Sequence, residues 1–250
     1  MSDNRNSPPS LASDLLRQGL ESVAASSGDP ELFGVDSLLG FLLAERGLPR
    51  LIKDICEQPE ALAWSAERSS LHPLGFEKLI LARVDEYTLR SHIWRSPLMG
   101  DQIHNHTAPF ASRILCGGYL EKRFRVLPLR EQQNEALASQ YSHFIYPSGR
   151  GMLETRPVLQ GQVLLEESVQ MPRRAGDQFV VPQTELHLTE VIEMDVPTMS
   201  CLIQAPNQTK WTDVYTRSKQ LEEPSTQTFT PQALKDTLEQ LFIVSSRVLG

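Results

Sequence analysis

Two histidines separated by a single residue, His104 and His106, are the side chains of this sequence best suited to bind a metal ion. In an extended segment, residues i and i+2 point to the same side of the backbone, so both imidazoles can face one ion. A third histidine, His187, lies in a distant segment with the composition of a strand. Three such imidazoles can form a facial metal site that leaves positions open for a substrate. The sequence therefore predicts a metal-dependent enzyme.

Charge and composition exclude other classes of protein. The chain has 24 basic and 31 acidic residues and a net charge of −7, so we expect no nucleic-acid partner. Cys56, Cys116 and Cys201 are odd in number and far apart, which argues against a disulfide framework or a zinc ribbon and favours a reducing, cytoplasmic setting. No run approaches the roughly 20 apolar residues of a membrane span, so we expect no membrane partner.

The flanks of the chain have helical patterns. Residues 1–10 are polar and are predicted to be disordered. Residues 11–70 carry leucines at helical spacing and predict an N-terminal helical extension packed on the next unit. Residues 218–250 are predicted to form a linker and a C-terminal helix, because Thr230 and Pro231 resemble an N-cap followed by a first helical position.

The middle of the chain, residues 71–217, has the period of strands and predicts a small barrel or jelly roll. Residues 130–159 are less regular and contain Pro147, Gly149 and Gly151, so we interpret them as an insertion that could form a lid. The predicted strands are Phe76–Val84, Tyr87–Trp94, Phe110–Cys116, Tyr119–Leu127, Gln162–Val169, Gln178–Val181, Glu185–Ile192 and Met199–Gln204.

The residues around the histidines form two spaced motifs. The motif residues are Gly100, His104, His106 and Gly118 in the first half, and Gly176, Pro182 and His187 in the second. Together they resemble the two motifs of the cupin superfamily. This resemblance implies a mainly β fold, a double-stranded β-helix with a metal at its centre, here with N-terminal helices and a C-terminal helix.

The first motif departs from the general cupin pattern, because Phe110 and Ala111 stand where a glutamate is usual. In the second motif, Thr184 replaces a usual glycine. Without the carboxylate, the ligands are three neutral imidazoles, and a divalent ion keeps its charge of 2+ and about three open positions. Such a site favours an anionic, chelating substrate.

A three-histidine site is the variant found in thiol dioxygenases, and Phe76–Pro206 looks like a distant relative of cysteine dioxygenase. The resemblance implies Fe(II), a substrate bound through sulfur, and O2 activated beside it. The runs His72–Lys78 and Phe110–Leu115 also resemble uncharacterised double-stranded β-helix proteins described as metal-dependent enzymes, to which no reaction is assigned.

The residue-by-residue match to cysteine dioxygenase is incomplete. Lys78 falls near the arginine that binds the substrate carboxylate, and Ala111 falls at the crosslinked cysteine. The family's Ser-His-Tyr relay falls on Ser200, Leu202 and Gln204, so only the serine is retained. We expect Lys78 to bind substrate and Ser200 or Gln204 to hydrogen-bond reacting oxygen, with Ala111 and Leu202 lining the pocket.

Strand alternation places Arg113 on the same face as Ala111 and Leu115. The resemblance to cysteine dioxygenase implies that this face looks toward the metal. Arg113 is therefore a second candidate to orient the acid group of a substrate. The alternative is that Arg113 closes the barrel mouth or pairs with Glu185.

Other pocket candidates have plain structural alternatives. His92 shares a face with Arg90 and Trp94, and it is either a fourth ligand or acid–base group, or an ordinary core histidine. His143 and Tyr146 lie in the predicted insertion and either cover the pocket as a lid or are solvated.

The function predicted is a non-haem Fe(II) dioxygenase that oxidises a small anionic substrate, by resemblance a thiol. Two alternatives stay open: a redox-neutral isomerase or hydrolase that uses its metal as a Lewis acid, and a non-catalytic ligand-binding protein. The metal could also be Zn, Ni, Cu or Mn, because imidazole binds all of these ions. The alternative to a metal site is that the three histidines are unrelated. A homodimer is a further possibility.

Overall fold

The computed structural model describes residues 11–26, 33–44, 47–98, 102–127, 138–147, 156–191, 195–221 and 227–249. The predicted disordered N-terminus, the motif glycine Gly100 and residues 130–137 and 148–155 of the predicted insertion lie outside these ranges. The helices in the described ranges are α1 (Leu11–Ser26), α2 (Phe33–Leu43), α3 (Gly47–Glu57), α4 (Pro59–Arg68) and α5 (Pro231–Val248). None of them is long and apolar enough to span a membrane.

The strands of the described ranges run from the end of α4 to the start of α5. They are β1 (Ser70–Leu71), β2 (Glu77–Val84), β3 (Tyr87–Trp94), β4 (Ile103–His104), β5 (Phe110–Cys116), β6 (Gly118–Val126), β7 (Ala138–Pro147), β8 (Val158–Arg174), β9 (Gln178–Val181), β10 (Leu186–Glu190), β11 (Thr198–Gln204), β12 (Trp211–Thr216) and β13 (Gln227–Thr228).

The first sheet is antiparallel, has the strand order β13-β1-β2-β3-β11-β5-β9, and carries all five helices on one face. Along β5 and β11, side chains alternate between the helices and the opposite face, as the pleat of a strand requires. The helix side of this sheet includes Leu79, Leu81, Leu89, Ile93, Ala111, Leu115, Cys201 and Ile203, which pack with leucines of α2, α3 and α5 in one buried cluster. This cluster is the main core.

The second sheet, of order β10-β4-β12-β7-β8-β6, closes on itself because β6 also pairs with β10. Its interior is a smaller apolar core around Ile103, Tyr141, Leu165 and Tyr215. His104 follows Ile103 in β4, so its side chain points to the outer face of this closed sheet. That face meets the helix-free face of the first sheet.

The fold is thus mainly β, a double-stranded β-helix with N-terminal helices and a C-terminal helix, and the predicted fold class is confirmed. The N-cap of α5 is also as expected: the side chain of Thr230 accepts a hydrogen bond from the backbone of Ala233, and Pro231 occupies the first turn.

Two of the motif glycines have a clear backbone role. Gly176 has a φ of 94° in the turn between β8 and β9, a conformation that side chains with a Cβ rarely adopt. Gly118 begins β6, where an added Cβ would collide with the carbonyl oxygen of Arg173 in β8. Glycine at both positions therefore lets β8 turn into β9 and pair closely with β6.

The predicted irregular insertion at 130–159 differs from the structure over residues 138–147. These residues form β7, which pairs with β12 on one side and β8 on the other as an integral strand of the closed sheet. The turn-forming residues beyond Pro147 made the whole segment look irregular, although Tyr141, Phe144 and Ile145 give the strand its apolar content. The prediction also missed β12 and gave β8 too short a span.

Candidate metal centre

Three histidine side chains converge between the two sheets. The ligand atoms offered by His104, His106 and His187 all lie within 4.8 Å of one another. The three ring centroids form a triangle with sides of 5.0 Å, and the rings are steeply inclined to one another. Register brings them together, since His187 in β10 is directly opposite His104 in β4.

The spacing of these nitrogens suits a common ion. The Nε2 atoms of His106 and His187 are 3.0 Å apart. Two nitrogens at about 2.1 Å from one ion, at right angles to each other, would also be separated by roughly 3.0 Å. The described residues add no carboxylate to the group, so the donor set is three imidazoles. This set could hold a metal, and imidazole is compatible with several divalent ions.

Burial keeps the three imidazoles neutral, which a metal ligand must be. Burial is the main cause that lowers the pKa of His104, and the charge of Arg90 lowers it further. Burial also holds the pKa of His106 and of His187 well below the ordinary value, with smaller effects of the neighbouring rings. Each ring therefore presents a free lone pair at neutral pH.

Outer contacts orient one of these rings. Nδ1 of His104 lies 3.2 Å from the carbonyl oxygen of Gln102, so Nδ1–H donates there and the Nε2 lone pair is available. Nδ1 of His187 is buried and has no hydrogen-bond partner among the described residues.

The first sheet supplies the facing wall, and two of its cross-strand rows carry predicted site residues. In one row, Lys78, His92 and Ser200 are opposite one another on β2, β3 and β11. In the next row on the same face, two residues further along, Arg90 in β3 is opposite Leu202 in β11. The structure therefore places these predicted residues on the face that looks toward the histidines.

The contacts of Phe110 show which face of β5 looks toward the three histidines. Its ring meets His106 edge-on at 4.7 Å and lies 6.5 Å from His187. Leu202 belongs to the same small apolar cluster as Phe110. The site face of β5 thus carries residues 110, 112 and 114.

The prediction that Ala111 and Arg113 face the metal is wrong. Ala111 and Leu115 are buried in the core against the helices, and Arg113 lies between them on that face, opposite Cys201. Alternation correctly grouped the three residues but could not tell which face the helices cover. The alternative pairing of Arg113 with Glu185 is not observed either: the described ion pair of Glu185 is with Arg123.

Other predicted residues lie at the margins. The amide of Gln204 donates one hydrogen bond to the side-chain oxygen of Asn207, in an exposed position. Tyr146 is on the same face of β7 as Phe144. Phe144 is opposite Val214 in β12, and Val214 is in turn opposite His104 in β4. This face is the one toward the site.

His143 does not cover the site as a lid. It points to the other face of β7, stacks on Tyr215 at 4.5 Å and has its Nε2 atom 2.7 Å from Asp213.

Aromatic rings close one end of the space between the sheets. His92 contacts Phe76 at 4.4 Å and Trp94 at 5.7 Å, and Trp94 contacts Tyr119 at 5.6 Å. Burial and the neighbouring charges of Arg90 and Lys78 hold the pKa of His92 well below its ordinary value. His92 is therefore a neutral, half-buried histidine packed among aromatic rings.

His72 also belongs to this group of rings and stacks on Phe76 at 4.3 Å. Burial first, and then the charge of Lys78, lowers the pKa of His72 to about 3.

A buried ion-pair cluster beside His187 was not predicted. Glu121 is 1% exposed and binds Arg123 through one oxygen and Arg173 through the other, at 2.8 and 2.6 Å. Arg123 is opposite His187 in the β6–β10 pair, and both arginines lower the pKa of that histidine. The alternation Glu121, Arg123 in a predicted strand was the signal available in the sequence.

Comparisons with known proteins found likeness only among solved structures. No family and no curated protein matches the chain. An RmlC-like cupin from Shewanella frigidimarina is 13% identical over 54% of this chain and 79% of its own, with a TM-score of 0.30. Hydroquinone 1,2-dioxygenase from Sphingomonas sp. TTNP3, with 4-hydroxybenzoate bound, is 11% identical over 52% and 65%, with a TM-score of 0.30.

Hydroxypropylphosphonic acid epoxidase from S. wedmorenis is 9% identical over 78% of this chain and 96% of its own, with a TM-score of 0.32. Another structure in this group is an uncharacterised protein with a double-stranded β-helix domain from Klebsiella pneumoniae, 10% identical over 57% and 85%, with a TM-score of 0.29. At these identities and TM-scores, no activity and no ligand is carried over to this chain.

Proposed function

We propose that the protein is a non-haem Fe(II) dioxygenase that oxidises a small anionic substrate, by resemblance a thiol. The observation that supports this most strongly is the group formed by His104, His106 and His187, whose nitrogens have the spacing of ligands to one ion. Bound ferrous iron would supply a centre that activates O2 beside a chelated substrate, as three protein ligands leave positions open.

The residues around this group have separate roles in the proposal. The ammonium of Lys78 would attract the acid group of the substrate and fix its orientation, which is how a bound molecule becomes a reactive one. The hydroxyl of Ser200, on the same face, would donate a hydrogen bond to reacting oxygen. The rings of Phe76, Trp94 and Tyr119 would exclude water from one end of the site.

The metal content of protein purified without oxygen tests this proposal. Mass spectrometry of the full chain is compared with His104→Gln, His187→Gln and a surface control, Gln140→Ala, whose amide lies exposed on β7. We expect near-stoichiometric iron in the wild type and the control, and little in either histidine variant. O2 uptake with a panel of small thiol acids then identifies turnover.

Other outcomes discriminate the alternatives. Zinc, nickel or manganese in place of iron, with no O2 uptake, would favour Lewis-acid chemistry such as isomerisation or hydrolysis. Ligand-dependent stabilisation without any turnover would favour a binding protein. Metal that is unaffected by both histidine substitutions, or no metal at all, would contradict the proposed site.

A further inference from the structure

Arg90 and Lys78 place two cationic groups on the site face of the first sheet. Lys78 is opposite His92, and Arg90 is two residues before His92 on the same strand. Arg90 and Lys78 are therefore diagonal neighbours on one face, about 7–8 Å apart at the backbone, within reach of long side chains. Arg90 is only 9% exposed. Sequence reasoning noted Arg90 only as a neighbour of His92.

Neither cation has an acidic partner among the described residues. The Nε atom of Arg90 is buried without any hydrogen-bond partner, and no described ion pair includes Arg90 or Lys78. Glu77, which precedes Lys78 in β2, binds Arg95, and Glu121, beside His187, binds Arg123 and Arg173.

A buried guanidinium without a counter-charge is costly, and such groups are normally paired. The missing partner is therefore best supplied by a ligand.

The two cations act on the same space as the three histidines. The charge of Arg90 lowers the pKa of both His104 and His106, and the charge of Lys78 lowers the pKa of His92 and His72. The Nε2 atom of His92, between them, is also buried without a partner. A ligand bound by Arg90 and Lys78 would thus lie beside the proposed metal position.

We propose that Arg90 and Lys78 form an oxyanion site for a substrate whose acid group carries two negative charges, of the phosphate or phosphonate kind. The fork of Arg90 would donate two parallel hydrogen bonds to two oxygens, and the ammonium of Lys78 would donate to a third. A dianion balances Arg90 and protonated Lys78, whereas a single carboxylate balances one. A bound dianion would also favour the protonated form of Lys78, whose pKa is lowered to about 7 by burial and by the charges of Arg90 and Arg83. This inference rests on the proposed function, because it names the acid group of that substrate.

Direct binding measurements test the inference separately from the metal. Inorganic phosphate, sulfate and acetate are titrated by calorimetry at matched ionic strength into the full-length chain, as purified and after removal of metal by a chelator. We expect one saturable phosphate or sulfate site per chain in both preparations, and acetate binding weaker by about tenfold or more.

Three variants give the test its specificity. Arg90→Gln and Lys78→Gln are each expected to weaken phosphate binding by about tenfold or more, since each loses a charge-assisted hydrogen bond. Arg174→Gln removes an exposed arginine at the end of β8 and should bind phosphate like the wild type. Circular dichroism confirms that each variant folds, and Lys78→Gln keeps the test valid if Arg90→Gln does not fold.

The inference is overturned if no saturable anion site exists in the metal-free protein, or if both substitutions leave phosphate binding unchanged. Acetate that binds as tightly as phosphate overturns the assignment of a dianion. Iron content measured on the same Arg90→Gln sample separates the two proposals, because loss of phosphate binding with iron retained implicates the anion site alone.

Discussion

Asn105 and Asp213 are joined by three hydrogen bonds directly between the two neighbouring ligands. The backbone N–H of Asn105 donates to the carbonyl oxygen of Asp213 at 3.2 Å, and its amide donates to the carboxylate at 2.8 Å. In return, the backbone N–H of Asp213 donates to the side-chain oxygen of Asn105 at 2.7 Å. The segment that carries His104 and His106 is thereby fixed to β12.

Asn105→Ala should weaken metal binding by about 10-fold to 100-fold, the size of effect seen when groups that orient metal ligands are removed. The variant loses two of the three hydrogen bonds, so His104 and His106 are held less firmly. Zinc affinity measured by competition with a chelator checks this.

The matched control for this prediction is Asn207→Ala, which removes an exposed asparagine bonded to Thr107 and Gln204. It should leave the affinity unchanged. Unaltered zinc affinity in a folded Asn105→Ala protein would show that the clamp does not position the ligands.

The C-terminal helix should be part of the main core. Leu238 in α5 is fully buried with the leucines of α3, so Leu238→Ala should lower the free energy of unfolding by about 2–5 kcal/mol. Ile243 in the same helix is 50% exposed, and Ile243→Ala should change the free energy by no more than about 0.5 kcal/mol. Urea unfolding measures both. Equal effects of the two substitutions would contradict this packing.

The sequence was informative where patterns are long, and poor where position depends on distant packing. All eight predicted strands overlap observed ones, because each has several residues of alternating or continuous apolar character. Strands β1, β4 and β13 have two residues each and are too short to show a period. Strand β7 was hidden by the turn-forming residues that follow it.

In the site as well, local patterns in the sequence identified some residues, whereas the roles of others depend on tertiary packing. The three histidines were recognisable from their type and spacing, and they do converge. Alternation placed Arg113 with Ala111, but the helices that cover this face are brought there by tertiary packing. The clamp of Asn105 was invisible because its partner, Asp213, lies in β12, which was not predicted.

Lys78 should make stability depend on pH in the alkaline range. Burial, with the charges of Arg90 and Arg83, lowers the pKa of Lys78 from 10.5 to about 7 in the folded protein. Between these values the unfolded chain binds the proton and the folded chain does not, so stability rises as pH rises. Below pH 7 both states are protonated, and the folded protein bears the cost of a buried charge.

Lys78→Met removes this dependence. In metal-free protein, the stability advantage of Lys78→Met over the wild type should be largest near pH 7 and shrink toward pH 10.5, as measured by urea unfolding. Lys53→Met, at an exposed site on α3, should parallel the wild type at every pH. An advantage that stays constant across this range would contradict the lowered pKa.

Glu121 should contribute to stability because it is the acid shared by two arginines beside His187. Glu121→Gln leaves Arg123 and Arg173 without their common carboxylate in a largely buried place, and breaking a buried pair in this way typically costs about 3–5 kcal/mol. The control is Glu166→Gln, which removes the partner of Arg125 on the same sheet. There the arginine is 53% exposed, so the loss should be about 0–1 kcal/mol. Denaturant unfolding of the two variants decides the matter: similar small losses would mean that solvent or another acid compensates Arg123 and Arg173 when Glu121 is gone.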